Sequence, residues 1–267
     1  MASINVNGVT LNYQIDGDLP GAPWIMLSNS LASNLTMWDR QVPALLAAGF
    51  RVLRYDTRGH GASQVPPGPY TIEILADDAL ALLDALKLER VHFCGLSMGG
   101  MTGQMLATHH GSRLSSLVLC ATAAYTGPPA LWAGRIKMVM DGGMAAVANA
   151  TIDRWFTPAN QQRLPDEVAR VKAGLLATSP QGYAACGAAI RDMDQRESIR
   201  RIKVPTRVMV GALDPSTTVA AAEFMHERIA GSELVVIPDS QHFFNVEFPD
   251  EFNAALLDFL WRHCESH

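Results

Sequence analysis

Short apolar runs with no polar alternation recur along this chain, each followed by a stretch of helical periodicity. They fall at residues 24–27, 52–53, 91–94, 117–120, 207–210 and 234–237. A strand wetted on one face alternates apolar and polar side chains. A run without alternation reads as a strand buried on both faces, as in a parallel sheet covered by helices. The intervening helical patterns lie at 41–48, 72–86, 100–109, 220–229 and 250–263. Thr71 opens the second of these, and Asp77, Asp78 and Asp84 are expected on its solvated face. Ahead of the series, residues 4–6 and 9–15 flank Asn7-Gly8, the dipeptide of a tight hairpin. Strands alternating with helices specify α/β architecture with right-handed crossovers.

The rhythm breaks between Ala123 and Arg200, where no buried-strand run occurs. Trp132, Trp155, Phe156 and Tyr183 sit there in helical-looking segments separated by Pro128, Pro129, Pro158, Pro165 and Pro180. This region follows one core strand and precedes the next at Thr206. It is expected to be a helical insertion, residues 123–200, capping a core built from 1–122 and 201–267.

Net charge, −5 over 267 residues, argues against nucleic acid as the main partner, although a pocket can carry charge opposite to the whole. No apolar run approaches the roughly 18 residues of a membrane span, and Met1–Val6 has no secretory pattern. Cys94, Cys120, Cys186 and Cys264 are widely spaced, with no C-x-x-C and no metal-ligand spacing. They are expected as reduced thiols in a cytoplasmic protein without a metal site. Monomer and homo-oligomer both stay open.

The chemistry centres on Gly95-Leu96-Ser97-Met98-Gly99, a G-x-S-x-G between an apolar run and a helical pattern. In that setting a serine sits on a sharp strand-to-helix turn with its hydroxyl exposed, and side chains at either glycine would collide with neighbouring backbone. A serine hydroxyl needs a base to act as nucleophile. His242 follows the strand at 234–237 by a short polar turn, on the sheet edge where α/β ligand sites form. His92 reads as a core residue and His60, within Arg58-Gly59-His60-Gly61, as a structural one. His109, His110, His263 and His267 read as solvated or capping, and His226 as part of a polar helix face with Glu223 and Glu227. The orienting acid belongs between Ser97 and His242 in sequence, and Asp214 follows the strand at 207–210. Asp239 is the rival and reads as a turn residue. Backbone N–H groups of Met98 and Leu31 are the candidate oxyanion donors.

Together these residues resemble the α/β-hydrolase superfamily. The matching pieces are Gly95 to Gly99, Asp56-Thr57-Arg58-Gly59-His60-Gly61-Ala62-Ser63, Gly211-Ala212-Leu213-Asp214 and Gln241-His242. Within it, Leu27-Ser28-Asn29-Ser30-Leu31, Met37-Trp38 and Ala121-Thr122-Ala123 are similar to the 3-oxoadipate enol-lactonases of aromatic catabolism, with Ala32 where that group more often has glycine. The resemblance implies a mostly parallel eight-stranded sheet flanked by helices, with a helical cap. It also implies opening of a carboxylate-bearing lactone through an acyl-enzyme, without cofactor or metal. Arg135 is the candidate for the carboxylate, and Ser30, Trp132 and Trp155 are candidate pocket residues. A carboxylesterase, another lactonase, a perhydrolase or a carbon–carbon bond hydrolase would share the same triad. A binding protein that keeps the fold without catalysis is the alternative of another class. A dehalogenase is disfavoured because position 97 is serine where those enzymes carry aspartate.

Overall fold

The computed structural model describes residues 1–264, so His267 lies outside the described residues. Each of the six non-alternating runs is a strand, and the hairpin adds two more. In chain order the strands are β1 (Ala2–Val6), β2 (Val9–Asp16), β3 (Trp24–Ser28), β4 (Arg51–Tyr55), β5 (Val91–Leu96), β6 (Leu114–Cys120), β7 (Thr206–Gly211) and β8 (Glu233–Ile237). They form one sheet in the order β1-β2-β4-β3-β5-β6-β7-β8. β1 and β2 pair antiparallel through the expected hairpin, β2 is antiparallel to β4, and every other pairing is parallel. Asn7 and Gly8 both take positive φ, as the tight turn demands.

Successive strand residues feed two separate cores, one on each face of the sheet. Ile25 and Leu27 enter the first with Cys94 and Leu96, while Met26 and Phe93 enter the second. The first face is covered by α1 (Val42–Ala47) and α11 (Pro249–Arg262), whose Phe252, Leu256, Phe259 and Leu260 are buried. The second is covered by α2 (Ile72–Ala85), α3 (Met98–His110) and α9 (Val219–Arg228). Thr71 caps α2 by accepting the Ile74 N–H, as expected of a residue that opens a helix.

Asp78 is a correction. It is not on a solvated face but 1% exposed, accepting from Arg58 Nε and Nη2 at 2.5 Å each and from Asn7 Nδ2 at 2.8 Å. The Arg58 side chain reaches α2 from the glycine-rich turn after β4, and a carboxylate so enclosed requires such a partner.

Between β6 and β7 the chain forms α4 (Pro129–Gly142), α5 (Ala145–Trp155), α6 (Pro158–Arg163), α7 (Pro165–Leu176) and α8 (Pro180–Asp192), with no strand among them. Proline opens four of the five at a first-turn position where a missing N–H costs nothing. A short helix, α10 (Phe244–Glu247), links the last loop of the sheet to α11. Among the described residues no helix is long and apolar enough to cross a membrane.

Candidate active site

Three loops at the carboxyl ends of β5, β7 and β8 bring the proposed serine, acid and base to one place. Ser97 leaves β5 at φ +57°, ψ −115°, a strained conformation for a residue with a side chain. Its N–H donates to Cys120 O at 2.8 Å and its carbonyl accepts from Thr122 Oγ1 at 2.7 Å, so the end of β6 holds the turn. The glycines are steric requirements. A Cβ on Gly95 would stand 2.2 Å from Gly99 O, and one on Gly99 would stand 2.2 Å from Ser28 O. The helix begins at Met98, two residues before the apolar periodicity does, because Gly99 and Gly100 are helical positions with no room for a side chain.

Asp214 and His242 meet through loops that are joined to one another. Leu213 N–H donates to Ser240 O at 2.9 Å and Ala212 N–H to Ile237 O at 2.9 Å. His242 Nδ1 lies 2.7 Å from Asp214 Oδ2. Thr217 Oγ1 donates to the same carboxylate oxygen at 2.7 Å, while the Ser216 and Thr217 N–H groups bind Oδ1 at 2.7 and 3.0 Å. Burial opposes the Asp214 charge, but the His242 charge, its hydrogen bond and those from Thr217 outweigh it and hold the carboxyl below its usual range. With Asp214 on Nδ1, the neutral imidazole leaves Nε2 free to accept a proton. The rival Asp239 is an exposed turn residue at φ +54°.

Ser97 and His242 line one cavity of about 220 Å³. Ser30, Leu31 and Ala32, from the loop after β3, form one wall. Among the described residues no hydrogen bond is made by the Leu31 or Met98 N–H, so both stay available to a ligand oxygen. The expected pocket residues Trp132, Arg135 and Trp155 also line it. Trp132 Nε1 donates to Thr126 Oγ1 at 2.9 Å, and the Trp155 ring stacks on Phe243 with centroids 4.0 Å apart. Each tryptophan is thus wall and packing at once. Arg135 lies over the Trp132 ring, 4.9 Å from its centroid.

Sequence reasoning missed Arg154 and Tyr183, which line the same cavity. Arg154 is half-buried and donates to Thr151 Oγ1 at 3.1 Å. Burial, then the charge of Arg135, lower its pKa. Among the described residues neither forms an ion pair with a carboxylate. Burial raises the Tyr183 pKa against the pull of both arginines, leaving a hydroxyl able to donate. Arg154 precedes Trp155 as Arg135 follows Trp132 by one turn, so the signal that marks one arginine, a tryptophan close by in a helical segment, marks the other equally.

The other described histidines lie outside the cavity lining. His92 is buried against Ser116 Oγ at 2.8 Å, His226 pairs with Ser232 Oγ at 2.9 Å, and His263 packs edge-on against Phe259. Among the described residues no group of three or more His, Cys, Asp or Glu is arranged to hold a metal ion.

Residues 23–249 match the family model of the alpha/beta hydrolase fold. The chain belongs to this family. Among its curated relatives are two proteins of Acinetobacter baylyi. It is 41% identical to 3-oxoadipate enol-lactonase 2, with 95% of this chain and 94% of that protein covered. It is 38% identical to 3-oxoadipate enol-lactonase 1, with 96% and 95% covered. Among solved structures, the enol-lactonase from Burkholderia xenovorans LB400 superposes with a TM-score of 0.95 at 45% identity, covering 97% of this chain and all of that one. The eight-stranded, mostly parallel sheet expected of an alpha/beta hydrolase is the sheet observed.

Proposed function

We propose that this chain opens 3-oxoadipate enol-lactone to 3-oxoadipate through an acyl-enzyme on Ser97. One observation carries the reading. The cavity that holds Ser97 and His242 also holds two arginines that have no carboxylate partner among the described residues, and at about 220 Å³ it suits a small acid rather than a long acyl chain. The enol-lactonase relatives agree with it.

In this mechanism His242 Nε2 takes the Ser97 hydroxyl proton as Oγ attacks the lactone carbonyl. Asp214 fixes the imidazole tautomer and stabilises the imidazolium. The negative charge that develops on the carbonyl oxygen is bound by the Leu31 and Met98 N–H groups, each contributing about 3–4 kcal/mol. The ring C–O bond then breaks. Its oxygen leaves as an enolate, a stabilised leaving group that takes the proton from His242 and tautomerises to the ketone. Water, activated by His242, hydrolyses the ester to Ser97 and releases the dicarboxylate. No step calls on a cofactor.

The helices of residues 123–200 act as a cap that supplies Arg135, Arg154, Tyr183, Trp132 and Trp155. The two arginines bind the substrate carboxylate, Tyr183 donates to it, and the tryptophans exclude water. The cytoplasm is the compartment proposed, on the unbonded thiols of Cys94 and Cys120, whose sulfurs lie 3.8 Å apart.

Turnover of authentic enol-lactone beside p-nitrophenyl acetate and a neutral lactone tests the reading. It requires kcat/KM to be far highest for the enol-lactone. A preference for the neutral ester would make the protein a carboxylesterase.

A further inference from the structure

We propose that His60 is a positioning residue for the oxyanion loop, its neutral Nε2 holding the Ala32 N–H so that the adjacent Leu31 N–H stays turned toward the carbonyl under attack. The inference rests on the proposed role of Leu31 as an oxyanion donor.

Ala32 N–H donates to His60 Nε2 at 3.0 Å, and both residues are 2% exposed. Ala32 is held at φ +60°, a backbone conformation that a residue with a Cβ disfavours. Ser33 N–H returns to Ser30 O at 3.3 Å, so this tight turn carries Leu31 at its centre. Ser33 Oγ also ties the turn, donating to Ser30 O at 2.7 Å, but the N–H of Ala32 itself, the residue at positive φ, is held by His60. An Nε2 that accepts leaves the proton of the neutral ring on Nδ1, which faces Arg58 O at 3.4 Å and the Cys186 sulfur of α8 at 3.8 Å. Burial lowers the His60 pKa to about 4, with the Arg58 carbonyl opposing, so the ring stays an acceptor at neutral pH.

His60 is itself fixed. Its N–H donates to Thr57 O at 2.9 Å and its carbonyl accepts from Ser63 N–H at 3.0 Å. Asp56, in the same segment, accepts Leu35 N–H at 2.8 Å and Ala62 N–H at 2.9 Å. The segment after β4 thus grips the oxyanion loop at two points, Ala32 and Leu35. A Cβ on Gly61 would stand 2.2 Å from the Asp56 carboxylate, which explains the glycine beside His60.

The test uses p-nitrophenyl acetate and enol-lactone. His60→Leu is expected to lower kcat roughly 10- to 100-fold on both, with KM little changed, which is less than outright removal of an oxyanion donor. His60→Gln, which returns an acceptor, should recover much of that loss. Ala32→Gly in the His60→Leu background should also recover it, because glycine adopts the positive φ without help. Damage to packing alone would not respond to a change at position 32. A folded His60→Leu with wild-type kcat, or no recovery on Ala32→Gly, overturns the proposal. Ring nitrogen NMR of the unmodified protein needs no variant to fold: Nε2 is expected unprotonated at pH 7, and a protonated Nε2 overturns the proposal. A wild type that turns over the ester but not the lactone would remove the substrate reading and leave this inference standing.

Discussion

Replacing Arg154 by methionine should make the protein poor with anionic substrates and leave it competent with neutral ones. Arg154 projects from α5 into the cavity, half-buried, with one neutral partner in Thr151 and, among the described residues, no carboxylate. A substrate carboxylate about 4 Å away at an effective dielectric near 20 is attracted by about 4 kcal/mol before desolvation. Hydrogen bonds to charged groups retain about 1.5–3 kcal/mol of such attraction. The lower part of that range applies here, because the guanidinium keeps some solvent and Arg135 remains to hold the anion. That corresponds to a loss of about 10- to 40-fold in kcat/KM. Methionine keeps the apolar stem, so packing changes little. The assay compares kcat/KM for the enol-lactone and for its methyl ester, on the wild type and on Arg154→Met. The ratio between the two substrates should fall by the factor given while the ester value holds. Equal losses on both substrates would refute the reasoning, since only a charge-specific contact distinguishes them.

Asp214→Asn should lower kcat on the order of 10⁴-fold at saturating substrate, as loss of the base's orienting charge does in a serine protease; a negligible loss would remove Asp214 from the mechanism. Gly99→Ala sets a Cβ 2.2 Å from the Ser28 carbonyl oxygen, backbone against backbone. It should leave little folded enzyme, seen as a large fall in Tm and loss of turnover. Stability should drop in mild acid. Burial lowers the His60 and His92 pKa values to about 4, below the ordinary 6.5, so unfolding takes up protons that the folded state refuses. The loss begins near pH 6.5 and grows by about 1.4 kcal/mol per pH unit for each ring until pH 4. Asp214, held below its usual value, adds stability above the unfolded carboxyl pKa and loses it as pH falls through its own lower one. Urea unfolding at pH 7, 6 and 5 measures this, and His92→Gln should reduce the slope. A flat profile would contradict it.

The sheet was legible because strands buried on both faces leave unalternating apolar runs, and each of those runs became a strand, although β8, at the sheet edge, is only partly covered and leaves Val236 exposed. The serine, acid and base were legible because chain order and strand ends place them with little dependence on packing. Asp78 was not, since nothing in α2 marks which of its acids meets Arg58 across the fold. Tyr183 went unseen for a related reason: which face of the helices of residues 123–200 meets the cavity depends on how they pack. Arg154 carried the same signal as Arg135, a tryptophan close by, and was passed over. His60 read as structural from its glycine-rich turn. Its contact with the Ala32 N–H, 28 positions away, is visible only in three dimensions.

In the proposed mechanism Ser97 carries the acyl group of the lactone. Opening a lactone loses no fragment, so the covalent intermediate weighs as much as enzyme plus the whole substrate. Intact-mass analysis of protein quenched with acid during turnover, followed by peptide mapping, tests this directly. An adduct of that mass is expected on the peptide bearing Ser97, absent in Ser97→Ala along with turnover. Undiminished hydrolysis by Ser97→Ala, or the adduct on another residue, would contradict it.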